Sequence, residues 1–296
     1  MSRPLYFVAL VALVIAGAAC DDDDDPADSA DDPVATDTAD DAASGEGLVV
    51  TVDGESISIE GSVAAGAVAV TADGPVSEID FSLVDDGTTE DEFLEAIRTV
   101  ISGGPFADFL LSNTGAPAGE STIVLEEGQY VVWAEIGGDE GGEAAEPTIV
   151  LTSLEVGPGD GAVLPDTDGT FTAVDYGFDV EVSAGDTYTL VNDGPNQFHH
   201  AVVFDFGDLT ADVVRENLPA FLTAGEEDPP PEAFAGVDFS TLDAAGSPVH
   251  GPGSSGTISG TLQSGHTYAV VCFIQDRVGG PPHAIAYEMY DVFEVG

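Results

Sequence analysis

The chain has 296 residues, in which 56 Asp and Glu stand against four basic side chains, all arginine (Arg3, Arg98, Arg215 and Arg277), for a formal net charge of −52. Nucleic acid is excluded as a partner, because phosphates are bound through Lys and Arg, and anionic headgroups are disfavoured as a docking surface for the same reason. An apolar share of 43%, with 36 Gly and 18 Pro, describes a chain that buries a core while turning often, and its length suits about two domains.

Arg3 precedes an apolar run from Leu5 to Ala19 that ends in Gly17, Ala18, Ala19 and Cys20. Its 15 residues fall short of a bilayer span, and a charged start, apolar middle and small-residue end predict a secretory signal over residues 1–20. The small residues before Cys20 resemble a bacterial lipoprotein processing site, which implies a lipid on Cys20 and attachment to the outer face of a membrane. From Asp21 to Gly45 there are 11 Asp and no aromatic residue, so residues 21–45 are expected to be a disordered, self-repelling tether. Abundant Asp without Lys also keeps a surface hydrated in concentrated salt, where screening removes self-repulsion, and a saline habitat is expected.

After Gly45 the pattern changes to short β-branched or alternating runs: Leu48 to Val52, Ile57 to Ile59, Ala67 to Thr71, Ile79 to Val84, Ser121 to Leu125, Tyr130 to Glu135 and Ile149 to Val156. Such runs, parted by Gly, Asp and Pro, predict an all-β sandwich. One helix interrupts it, with Thr89 and Glu92 as a capping box and Phe93, Leu94, Ile97, Val100 and Ile101 at helical spacing.

The second half repeats this order. "GAVAVTADGPVSEIDFSLVDDG" from Gly66 aligns with "GDTYTLVNDGPNQFHHAVVFDFG" from Gly185, "GQYVVWAEI" from Gly128 with "GHTYAVVCFI" from Gly265, and "IVLTSLEVG" with the closing "MYDVFEVG". A second helix is expected at Ala211 to Leu222. The division is a first sandwich at 46–157, a linker at 158–170 and a second sandwich at 171–296. The calcium-like "DTDGT" from Asp166 lacks the later acidic positions such loops need and is read as a linker turn.

The copies differ in chemistry. All five histidines and Cys272 lie in the second, where His200 falls opposite Asp80 and Cys272 opposite Ala134. With Cys20 lipidated or removed, Cys272 stands alone in an oxidising compartment. In order, His200, Cys272, His283 and Met289 offer two imidazoles, a thiolate and a thioether, the donor set of a blue-copper centre. "HAVVFD", "YAVVC" and "MYDVFEV" resemble the ligand-bearing strands of plastocyanin-type members of the cupredoxin family. The resemblance implies two tandem cupredoxin-like Greek-key sandwiches, each with one inserted helix, and one copper held by His200, Cys272, His283 and axial Met289. It also implies electron transfer or copper handling with a redox partner protein.

Two features depart from the family: ten residues, "FIQDRVGGPP", separate Cys272 from His283, and Ala201 follows the first histidine where Asn is usual. A surface module that has lost its metal, with Cys272 and His200 as core residues, is the alternative. His199 is expected on the face opposite His200, and His250 and His266 in solvent. No nucleophile elbow, phosphate-binding loop or His-Glu-Xaa-Xaa-His helix is present, so no enzyme is expected, and a hydrolase using paired carboxylates is a third, weaker reading. "EEDPPPEAF" and "SPVHGPGSSG" belong to a long insertion that suits a lid or a docking surface.

Overall fold

The computed structural model describes residues 47–137, 148–159, 163–224, 229–239 and 242–296; the signal, Cys20 and the acidic tether lie outside them. No helix among the described residues is long and apolar enough to cross a membrane.

The first strand shows why these residues fold as they do. In β1 (Leu48–Val52), Leu48, Val50 and Val52 are buried and the residues between them are exposed, as the two-residue period of a pleated strand requires. It pairs with β2 (Ile57–Glu60) and, in parallel, with β3 (Gly66–Asp73), which pairs with β6 (Gly119–Leu125). A second sheet of the first half runs β5 (Leu110–Pro117), β4 (Glu78–Val84), β7 (Gly128–Ile136), β8 (Thr148–Val156). Between the two sheets lies a core that includes Val50, Phe81, Ile123 and Val132. α1 (Glu90–Ile101) starts at the expected cap, where the Thr89 hydroxyl accepts the Glu92 N–H and the Glu92 carboxylate accepts the Thr89 N–H.

The second half has the same pairing order. β9 (Gly169–Val174) pairs with β10 (Gly177–Val182) and, in parallel, with β11 (Gly185–Asn192), which pairs with β14 (Ser255–Leu262). The facing layer is β13 (Asp243–Gly246), β12 (Val202–Asp205), β15 (Thr267–Val271), β16 (Tyr290–Glu294). α2 (Ala211–Thr223) covers the outside of that layer and packs Val214 and Leu218 on Phe204, Ala269 and Val271. The architecture is all-β, with a helix inserted in each half. In the Asp166 turn, the Asp168 carboxylate accepts the N–H groups of Asp186 and Thr187, a structural cap on the start of β11.

The halves are joined along the outer face of the β5–β4–β7–β8 sheet. Every residue of β4 from Ile79 to Val84 is buried, because one face looks into the first core and the other is covered by α1 and by residues of the second half. A chain of hydrogen bonds crosses this face: Trp133 Nε1 donates to Ser82 Oγ, Ser82 Oγ to Asn113 Oδ1, and Asn113 Nδ2 to both Asp80 Oδ1 and the Val249 carbonyl. The backbones meet closely, so that a Cβ on Gly115 would collide with Pro248 and one on Gly251 with Asn113. The "SPVHGPGSSG" segment is therefore packed against the first half. It does not form a lid.

Burial raises the Asp80 carboxyl to about 7, against the stabilising pull of the Asn113 amide. A raised folded-state value gives stability that is present below the unfolded pKa of ~3.9 and is lost as pH rises through about 7. Asp80→Asn keeps an acceptor for Asn113 and removes that loss. Relative to the variant, the wild-type unfolding free energy is expected to fall by up to ~1.4 kcal/mol per pH unit between these values. Parallel pH profiles in denaturant titrations would contradict this assignment.

Candidate metal centre

Strand register decides which histidine meets Cys272. Val202 lies opposite Val271, and Val203 opposite Val270. Along β15 and the two residues after it, Tyr268, Val270 and Cys272 face the inner core, while Ala269, Val271 and Phe273 face α2. On the neighbouring strand Ala201 and Val203 face inward, which puts His199 in phase with Cys272 and His200 in phase with the outer layer. The His199 ring lies with its Nδ1 3.7 Å from Cys272 Sγ, and His283 Nδ1 is also 3.7 Å from that sulfur.

The expectation of His200 as a donor is corrected by this geometry. His200 Nε2 instead accepts the Phe273 N–H at 2.8 Å, so it buttresses the end of β15 from the outside. The "HAVVFD" run hides its parity because α2 covers its outer face, leaving both faces apolar. The signal that could have found His199 is phase with Tyr268, Val270 and Cys272 across the paired strands.

Cys272, His283 and Met289 are tied together by backbone bonds. The Ala284 N–H donates to the Cys272 carbonyl, the Cys272 N–H to the Met289 carbonyl and the Met289 N–H to the His283 carbonyl. His283 opens the short helix α3 (His283–Ala286), and Met289 is fully buried in the same core cluster as Cys272. Glu288, just before Met289, has φ 55°, and Tyr176, whose ring meets the His283 ring edge-on at 5.4 Å, has φ 67°. Left-handed backbone at non-glycine residues costs of order 1–3 kcal/mol and persists where the surroundings hold it.

Two further residues support the centre and carried no signal in the sequence. Asn192 is fully buried and donates from Nδ2 to the carbonyls of Gln197 and His250, fixing the approach to His199. Ser247 Oγ accepts the Ala201 N–H at 2.8 Å. His250, expected in solvent, is fully buried: its backbone exchanges two hydrogen bonds with His199, and its Nδ1 lies 3.3 Å from the Thr114 hydroxyl of the first half. His266, also expected in solvent, is partly buried with Nδ1 2.9 Å from an Asp205 carboxylate oxygen.

His199, Cys272 and His283 are the cluster of metal-ligating side chains among the described residues, with donor atoms all within 4.8 Å of one another and none exposed. Bonds of ~2.3 Å to sulfur and ~2.0 Å to nitrogen separate the donors of a trigonal site by about 3.7 Å, which the two distances match. Burial holds the imidazoles neutral, lowering His199 to about 3 and His283 to about 4, so each ring carries one nitrogen lone pair, which lies on Nδ1 in the Nε2–H tautomer. It also pushes the Cys272 thiol up to about 12, while backbone N–H groups of His200 and Ile274 pull the other way. A bound cation would displace the thiol proton, because the thiolate is the ligand. Two imidazoles and one thiolate suit copper in both its oxidation states.

No family model and no curated protein matches the chain. A solved structure, "Crystal structure of Na-dithionite reduced auracyanin from photosynthetic bacterium Roseiflexus castenholzii", is similar at 25% identity, covering 43% of this chain and 94% of that one, with a TM-score of 0.27.

In the metal-free protein Cys272 is expected to resist thiol reagents at pH 8 until denaturant opens the core, since it is both fully buried and protonated. Labelling of the native protein at the rate of a free cysteine would show that the sulfur is not enclosed as described.

Proposed function

We propose that the second half binds one copper ion through His199 Nδ1, Cys272 Sγ and His283 Nδ1, with Met289 as a weak axial neighbour, and that the protein serves electron transfer or copper handling. The observation that carries this reading is the meeting of three unexposed donor atoms, with the Cys272 sulfur 3.7 Å from the Nδ1 of each histidine. The rigid layers around them would change little between oxidation states, which keeps the reorganisation on electron transfer small. In this reading the two halves are copies of one cupredoxin-like domain, of which only the second retains donors. The chain acts as a binding and electron-carrying protein with a redox partner, and no enzymatic step is assigned to it.

The expected test is addition of Cu(II) to the protein in concentrated salt. An intense visible thiolate-to-copper band should develop, survive dialysis and be absent from Cys272→Ser and His199→Ala. His200→Ala should keep the band, because that ring bonds a backbone N–H and lies outside the donor set. A colourless wild-type protein that retains no copper would favour the metal-free module, with Cys272 as a core residue.

The same proposal includes export and a lipid on Cys20, supported by Arg3, the apolar run and the small residues before the cysteine. The charge of −52 then favours a partner with a cationic surface. Cys20→Ser is expected to move the protein from the membrane fraction to the soluble exported fraction, and unchanged fractionation would contradict the anchor.

A further inference from the structure

The ten residues between Cys272 and His283 make a ligand loop too long to hold two donors by its own stiffness. Within the second half it is held by Tyr176, whose hydroxyl donates to Asp276, and by Gln197, whose Oε1 accepts the Arg277 N–H; its remaining bonds reach the other half of the chain. Gln275 Nε2 donates to the carbonyls of Val100 (3.2 Å) and Gly104 (2.6 Å), which lie at and just beyond the C-terminal end of α1, where helix carbonyls lack partners within the helix. Arg277 Nη2 donates to the Leu110 carbonyl at 2.7 Å, and the Arg277 carbonyl accepts the Phe106 N–H at 2.9 Å.

The segment that precedes His199 is gripped in the same place. Phe198 is fully buried in a cluster with Phe93, Ile97, Leu110 and Val131 of the first half, and Ile274, two residues after Cys272, packs on that cluster. Phe106 stacks on the Phe198 ring at 4.6 Å and 11°, and the Arg277 guanidinium sits 4.9 Å from the ring centroid. One basic side chain of four in this acidic protein is thus committed to a carbonyl and an aromatic face beside the donors.

We infer that the donor-free first half is the positioning body of the metal centre, holding the Cys272-to-His283 loop through Gln275 and Arg277 and the His199 segment through Phe198. The inference rests on the copper reading for its function, but the grip itself is made by protein groups alone. Gln275, Arg277, Phe198 and Phe106 are positioning residues, because they act on the donors through backbone placement.

The experiment has two arms, both on the whole protein, with Gln275→Ala and Phe106→Ala compared with Val278→Ala. Val278 lies in the same loop with 81% of its surface exposed and serves as the control. In the first arm, loss of copper to an excess of chelator is expected to be ~10- to 100-fold faster in the first two variants, the usual size of an outer-support defect, and unchanged in Val278→Ala. The charge-transfer band should also shift in position or relative intensity. In the second arm, amide hydrogen exchange of residues 273–280 in the metal-free protein is expected to speed up in Gln275→Ala and Phe106→Ala, while exchange of the β3 and β6 amides stays slow. If Phe106→Ala does not fold, Gln275→Ala, at a partly exposed loop position, carries both arms. Unchanged copper loss together with unchanged loop exchange in Gln275→Ala would overturn the inference. If wild-type protein takes up no copper at Cys272, the copper reading falls and the exchange arm alone decides whether the first half positions the loop.

Discussion

The pleat shared by β12 and β15 is the constraint on which the centre depends. With Val202 opposite Val271, the side chains of His199 and Cys272 share the inner face, and a slip of one residue would bring His200 inward and send His199 to the helix-covered side. The register is held by burial on both faces. Inside, Tyr188, Leu190 and Val270 fill the core between the layers; outside, α2 presses Val214 and Leu218 onto Phe204 and Val271. His200 adds a specific bond by accepting the Phe273 N–H, so the two adjacent histidines have opposite tasks, one facing the sulfur and one locking the strand end.

The same strands reach the second constraint, which is the joining of the halves. A chain with so many carboxylates has few cations with which to make an interface, and this one is built from neutral groups: the Trp133–Ser82–Asn113 bonds, close glycines, and the apolar cluster around Phe198. Asp80 and Arg277 are the charged exceptions: the raised pKa of Asp80 records the cost of placing a carboxylate there, and Arg277 is satisfied by the Leu110 carbonyl. Negative charge stays chiefly on solvated surface, where salt screens it, while the donors are buried, with the Asp175 and Asp276 carboxylates near enough to act on the His283 ring. Left-handed backbone at Tyr176 and Glu288 borders that layer on two sides, which is where a fold that over-determines its geometry tolerates strain.

Much of this was legible in the sequence. The run "LVVTV" is rich in β-branched residues, and β1 begins and ends where the run does; the Thr89–Glu92 pair predicts the helix start that is observed. β5 and β13 were missed, because "LLSNTGAP" and "DAAG" carry small and polar residues in place of β-branched ones; in β5 the buried Asn113 and Thr114 face the other half of the chain, where polar partners await them. The order Cys272, His283, Met289 is legible in the sequence; the fold sets His283 against Cys272 and buries Met289 in the same core. His199 was displaced by its neighbour for a physical reason: when a helix covers the outer face, alternation no longer distinguishes inside from outside. His250 looked solvated in its Gly- and Pro-rich surroundings, yet those glycines permit the close backbone approach that buries it.

The central claim is that a thiolate and two imidazoles of the second half bind copper together. Copper K-edge absorption fine structure on the copper-treated protein tests it most directly, because 56 carboxylates could also collect the ion on the surface. The account predicts one sulfur scatterer at ~2.1–2.3 Å and two imidazole nitrogens at ~2.0 Å. A first shell of oxygen and nitrogen without sulfur would contradict it.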